Sequence, residues 1–453
     1  MEVTEEKPLV LCGGTVVCEK EVLPNHDVII ENGRISAIRP STTCVGDELL
    51  KSAQSIIDAA TDFPDCSMLA DEGATFVDAR GCYVLPGMVD IHSDYIESVA
   101  SPRPGVVMDL ASSLYTAERE LVAHGVTTIY HSLSVYQAKV FDHKPIRNFE
   151  NVSALIDCVR AMRPFEEQGH LIRHRLHLRV EVDAIDMYAA IKTYLKEGAL
   201  DLISFMNHTP GQGQYADLQV YSSMLKGYKE ITDEAVNDLI ESQQKRNNLS
   251  VMQLDILSRL ARQQGIAVAS HDDDSLEKLD LTESLMTSIS EFPITLEVAK
   301  SARERGMHTL AGAPNVVMGR SHSGNLSARE AACEGVVDIL CSDYYPASML
   351  QAAFILYREF AIDLATAFAL VSINPARAVN LDAELGSIAV GKRADVLLVR
   401  ELESGIPVVS QALVGGRSVY QSHYTYFDST ELDSSEVPEN ATVDIECATP
   451  RRR

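Results

Sequence analysis

The chain has 453 residues, 46% of them apolar, and a formal net charge of −26. That apolar content supports a large buried core and excludes wholesale disorder, while the charge argues against nucleic acid or an anionic membrane as the main partner, since both reward basic surfaces. No apolar run approaches the ~20 residues a bilayer requires, the acidic start MEVTEEKPLVLCGG lacks a signal-peptide layout, and the nine cysteines include no C-x-x-C pair, so a reducing cytoplasm is the expected setting.

Residues 8–40 read as short strands joined by turns, and the Asn-Gly of "ENGR" favours a tight primed hairpin. Residues 42–78 form an acidic break carrying Gly, Ser and Pro, read as a surface insertion with a short helix at DELLKSAQSIIDAA. Eight apolar runs follow: YVLPGMVDIH, VTTIYHS, RLHLRVEV, DLISFMNH, GIAVASHDD, SISEFP, HTLAGAPN and VDILCSDYY. Amphipathic segments such as SSLYTAERELVAHG and NVSALIDCVRAM lie between most of them. Strands separated by helices pair in parallel, which predicts a (β/α)8 TIM-like barrel over residues 81–382, with a doubly wound sheet as the alternative. GSIAVGKRADVLLV and VVSQALVGGRSVYQ return to short-strand character. Residues 1–80 and 383–423 are therefore expected to build one small β-sandwich domain from both chain ends. Residues 424–453, acidic until the closing RRR, read as a solvated tail.

In a parallel barrel, reactive groups gather at the C-terminal strand ends. Those ends carry His92 and Asp94, His131, Glu181, His208, His271 followed by Asp272, Asp273 and Asp274, Glu291, and Asp343. Singly, each has an ordinary reading: a strand-end histidine is often only hydrogen-bonded, and a strand-end aspartate often caps the next helix. Together they would crowd carboxylates into one mouth, where like charges repel and burial is costly. A divalent cation removes that conflict. Imidazole with carboxylate suits zinc, and manganese or iron suit such mixed sites as well. His92 and Asp94, two residues apart on a strand, point the same way and so suit one ion.

LPGMVDIHSD, GVTTIYHS, ASHDD, CSDYYPAS, NPARAVNL and GSIAVGKRADVLLV together resemble the landmarks of the amidohydrolase superfamily. More narrowly, SPRPG, HRLHLRVE, FMNHTPGQGQ, ISEFPIT, LAGAPNVV and SHSGN look like the phosphonate-metabolism diphosphatases of the carbon–phosphorus lyase pathway. The resemblance runs from about Leu85 to Val399 and leaves out the insertion and the tail. It implies a metal-dependent hydrolase that cleaves α-D-ribose 1-methylphosphonate 5-triphosphate to the 5-phosphate and diphosphate, by attack at phosphorus.

The superfamily's first strand usually ends in His-x-His; here Asp94 replaces the second histidine. Its common fourth-strand lysine has no counterpart in SFMNH, which leaves Glu181 as the bridging carboxylate. The resemblance thus implies two cations on His92, Asp94, Glu181, His208 and His271, touched by Asp343 as the general base, with Glu291 and His131 in reserve. Which residue serves which ion stays open. Arg103 in SPRPG and His322, Ser323 and Asn325 in GRSHSGN supply donors for phosphate. Of Arg173, Arg175 and Arg179, which share the face of Glu181, at most the nearest can serve the site; the others are expected to pair with acids. The expected partner is a small phosphorylated sugar, and a homo-oligomer is left open. Two rival readings are an amide or cyclic-amide hydrolase and a non-catalytic scaffold on the same fold.

Overall fold

The computed structural model describes residues 7–41, 73–137, 145–163, 169–210, 222, 226, 232–244, 246–320 and 325–423. The expected helix at residues 47–60 and the acidic tail at 424–453 lie outside them. At the N-terminal end, strands β1 (Leu9–Val17), β2 (Val22–Glu31) and β3 (Arg34–Pro40) form an antiparallel meander. The expected hairpin joins β2 to β3: Asn32 and Gly33 both take positive φ, 51° and 72°, as a primed turn requires. Strands β4 (Thr75–Asp78) and β5 (Tyr83–Pro86) pair in parallel with β1.

The apolar run YVLPGMVDIH, expected as one strand, is divided between two sheets. Its first half is β5; its second half, β6 (Met88–Ser93), starts the barrel. The crossing falls at Gly87, where a Cβ would come within 2.3 Å of Thr127 Oγ1. Only glycine allows the two sheets to approach so closely here.

The other seven runs become β7 (Val126–Val135), β8 (Arg173–Glu181), β9 (Leu202–Met206), β10 (Ala267–His271), β11 (Ile289–Glu291), β12 (His308–Gly312) and β13 (Ile339–Cys341). With β6 they form one eight-stranded parallel sheet in chain order. The ring closes where Ser93 bridges Asp343 in parallel. Strands β14 (Val396–Glu401), β15 (Pro407–Val414) and β16 (Arg417–Gln421) return the chain to the first sheet, where β14 pairs with β5. That sheet therefore comes from both chain ends.

Helices between the strands bury one stripe each. Helix Leu110–Ala123 turns Leu114, Ala117 and Leu121 inward at helical spacing, and Asp109 caps it by accepting from the Ser112 amide at 2.8 Å. Ser250, Ser275, Thr295 and Ser327 cap later helices in the same way. The apolar layer between barrel and helices includes Leu155, Ile156, Leu176, Leu178, Val180 and Leu257, all buried. Each such side chain stabilises the fold by roughly 1.5–3 kcal/mol. Of the three β8 arginines, Arg173 forks onto Asp395 and Arg175 lies 3.9 Å from Asp201. Only Arg179 reaches the barrel mouth.

Candidate active site at the barrel mouth

Three strand ends at the mouth share one backbone device. Asp272 follows β10, Phe292 follows β11, and Asp343 lies two residues beyond β13; their φ values are 53°, 54° and 54°. Each amide donates to a carbonyl of the next strand around the ring: Asp272 to Glu291, Phe292 to Leu310, and Asp343 to His92. Left-handed backbone costs roughly 1–3 kcal/mol for a residue other than glycine. Glycine would relieve that cost but would remove the side chains that two of these turns deliver to the mouth, Asp272 and Asp343.

His92, His177 and His271 are buried, His208 is half-buried, and they are linked in series. His92 Nδ1 donates to Glu291 Oε1 at 2.9 Å, and its ring lies 5.1 Å from that of His177 and 5.6 Å from that of His271. His177 sits between the hydroxyls of Ser132 and Ser204, at 3.0 and 2.9 Å. Burial, aided by Arg179, pulls His92 down to about 3, so its imidazole is neutral. Glu181 accepts from the backbone amide and the Nδ1 of His208, at 2.6 and 2.7 Å. His208 Nε2 then lies 3.2 Å from Asp272 Oδ2. Burial works against a charged His208, but Glu181 and Asp272 outweigh it and push the group up to about 9.

Asp94 holds the N-cap position of the helix Tyr95–Ala100, but its side chain makes no capping hydrogen bond there. Its carboxylate instead accepts from Arg179 Nη1 at 2.8 and 3.0 Å and lies 3.7 Å from Arg147 Nη2. Burial alone would raise Asp94, yet the two guanidinium groups hold it well below the usual carboxylate range. Arg147 is itself paired with buried Glu97 at 2.8 Å. Asp343, by contrast, is not the N-cap of the helix Ser348–Glu359; Ala347 is. Burial, followed by the charge of Asp94, raises Asp343 to about 7, near the working pH of a general base.

The six residues expected to hold metal therefore adjoin one another around the mouth, though through different partners than expected. His208, His271 and Asp272 present ligand atoms within 4.8 Å of one another, and so do His92, His271 and Glu291. Buried His271 Nδ1, Asp272 Oδ2 and Glu291 Oε2 have no hydrogen-bond partner among the described residues. His271 Nδ1 comes within 3.1 Å of Asp272 Oδ2, and His208 Nε2 within 3.2 Å of the same oxygen. Buried polar atoms left unsatisfied are costly, and a divalent cation among these imidazole and carboxylate groups would satisfy them, so the residues present fit one.

His131, held in reserve, faces away from the mouth. On β7 it is Ser132 that points inward; His131 packs outward against His174 at 2.9 Å, under the helix Leu110–Ala123. Arg103 is exposed on the loop after helix Tyr95–Ala100, and partly buried Asn325 precedes helix Ala328–Cys333. His322 and Ser323 lie outside the described residues. The parity of β8 would have found His177, since it shares the face of Arg179 and Glu181. Arg147 carried no comparable signal, because it enters from a single 3-10 turn, Pro145–Arg147.

No helix among the described residues is long and apolar enough to cross a membrane. Alpha-D-ribose 1-methylphosphonate 5-triphosphate diphosphatase from Escherichia coli (strain K12) is 34% identical over 336 residues, covering 73% of this chain and 87% of the relative. An adenine deaminase from Clostridium botulinum (strain Loch Maree / Type A3) is 24% identical over 94% of this chain and 58% of its own length. Among solved structures, molinate hydrolase superposes with a TM-score of 0.59 at 16% identity, over 97% of this chain and 99% of that one, a likeness of fold alone. The amidohydrolase family model matches residues 83–419, through the whole barrel and into the returning strands, and the chain is a hydrolase that belongs to the amidohydrolase family.

Proposed function

We propose that the chain hydrolyses a sugar triphosphate, α-D-ribose 1-methylphosphonate 5-triphosphate, to the 5-phosphate and diphosphate, with a divalent cation at the barrel mouth. Support comes first from charge. In a chain of net charge −26, buried Arg179 and half-buried Arg147 stand at the mouth beside ligand atoms without partners. A guanidinium suits a phosphate better than it suits the carbonyl of an amide. The second support is the similarity to the diphosphatase across most of both chains.

His208, His271 and Asp272 would hold the cation, with His92 and Glu291 adjoining. When bound, it supplies Lewis-acid chemistry, polarising a phosphoryl oxygen and lowering the pKa of water. Asp343 accepts the proton as the water oxygen bonds to phosphorus. The bridging P–O bond breaks, and its electron pair leaves with diphosphate. Arg179 and Arg147 neutralise charge on the phosphate oxygens. Exposed Arg103 draws the triphosphate toward the mouth, and the 319–325 segment, with His322, Ser323 and Asn325, supplies further donors.

The adenine deaminase similarity gives the competing amide-type chemistry a concrete form. Purified protein supplemented with zinc, manganese or iron is to be offered the ribose triphosphate, ATP and adenine in parallel. Diphosphate from the ribose triphosphate supports the proposal; ammonia from adenine without diphosphate rejects it.

A further inference from the structure

Arg179 bears on how many cations the mouth can take. Its Nη1 donates to both oxygens of Asp94, at 2.8 and 3.0 Å, and its Nη2 donates to His271 Nε2 at 3.1 Å. A guanidinium keeps its protons in proteins, so it can only donate. His271 Nε2 must therefore accept, with its lone pair directed at Arg179. That lone pair cannot also bind a metal. His271 is the one residue common to both candidate ligand groups, His92–His271–Glu291 and His208–His271–Asp272. With Nε2 engaged, only Nδ1 remains, and Nδ1 is the buried atom without a partner, 3.1 Å from Asp272 Oδ2. Asp94 is committed as well, since both of its oxygens face the same guanidinium.

We infer that the mouth takes one divalent cation and that Arg179 stands where a second would otherwise sit, tying Asp94 to His271 and acting as a fixed positive charge for the triphosphate. The cation rests on His208, His271 Nδ1 and Asp272. Arg179 Nε contacts Met206 Sδ at 3.2 Å, which fixes the plane of the fork and leaves an Nη2 hydrogen for a phosphate oxygen. A fixed guanidinium offers directional donors to phosphate at a position where an ion would offer a point charge. The inference rests on the proposed cation-dependent reading of the mouth.

The test counts metal. Protein stripped with a chelator is titrated with zinc or manganese, freed of excess by gel filtration, and analysed for metal per chain. Wild type is expected to retain one equivalent, and Arg179→Lys to remain at one. Arg179→Met is expected to approach two, because Asp94 and His271 Nε2 are released, and to raise KM for the triphosphate at least tenfold. Two tightly held equivalents in wild type overturn the inference, as does an Arg179→Met protein that folds yet stays at one. No retained metal overturns the cation-dependent reading beneath it. The wild-type count stands without any variant, should Arg179→Met fail to fold.

Discussion

Two buried clusters in this barrel are built from the same residue types and come out differently. Outside the barrel wall, Glu118 Oε2 accepts from His170 Nδ1, His174 Nε2 and the Leu171 amide, each at 3.2 Å, and His131 completes the chain at 2.9 Å from His174. Tyr115 stacks on His170 with ring centroids 4.9 Å apart. Glu118, His170 and His174 have ligand-like spacing, but none of their side-chain atoms is among the buried ones lacking a partner. Inside the mouth, His271, Asp272 and Glu291 each keep a buried atom without one, the backbone takes up left-handed turns, and two arginines stand alongside. Ligand-type residues at ligand-like distances therefore do not define a metal site by themselves. Unspent lone pairs on clustered ligand-type residues single out the mouth as the better candidate, because a self-satisfied network gains little from an ion.

The largest expected break in this comparison is Asp343→Asn. It should retain bound metal while turnover falls about 10³–10⁴-fold, the range of a lost general base; metal analysis beside kcat separates the two effects. His271→Ala should remove metal itself, with retained metal falling well below wild type and turnover dropping at least ~10²-fold. The pH profile comes next. Asp343 must be deprotonated to accept a proton, and burial raises it to about 7. Turnover should then fall about tenfold per pH unit below that value. A bound cation favours the carboxylate and moves the limb downward, so a limb lying above pH 7 would speak against Asp343.

Arg103→Ala tests the approach to the mouth. Its effect should be about tenfold or less and concentrated in KM, as suits an exposed charge whose pull is screened by salt. The smallest functional effect belongs to the outer cluster. Glu118→Gln should lower the thermal midpoint by roughly 2–6 °C, since it weakens a buried acceptor. Metal content and kcat should remain at wild-type levels, and a loss of metal would erase the distinction between the clusters.

Much of the architecture was legible in the sequence because it follows from periodicity. The eight apolar runs became β6 to β13 in order, and the Asn32-Gly33 turn closes the hairpin that its residues require. The split at Gly87 was not legible, since one continuous apolar run served two sheets and only three-dimensional crowding against Thr127 shows why. At the site, strand ends pointed to the right neighbourhood but not to the pairings. His131 sits at the polar end of its run, yet it faces the helices, because β7 continues to Val135 and turns Ser132 inward. Glu291 lies on a run too short to show its facing. The bond between Asp94 and Arg179 spans β6 and β8, a separation of 85 residues, which local pattern cannot encode.

The most direct test of the central claim is diphosphate release by the metal-loaded enzyme from α-D-ribose 1-methylphosphonate 5-triphosphate. The account predicts equal amounts of diphosphate and 5-phosphate, abolished by chelation and restored by added metal. Diphosphate absent from the metal-loaded protein, or formed undiminished after chelation, would contradict it.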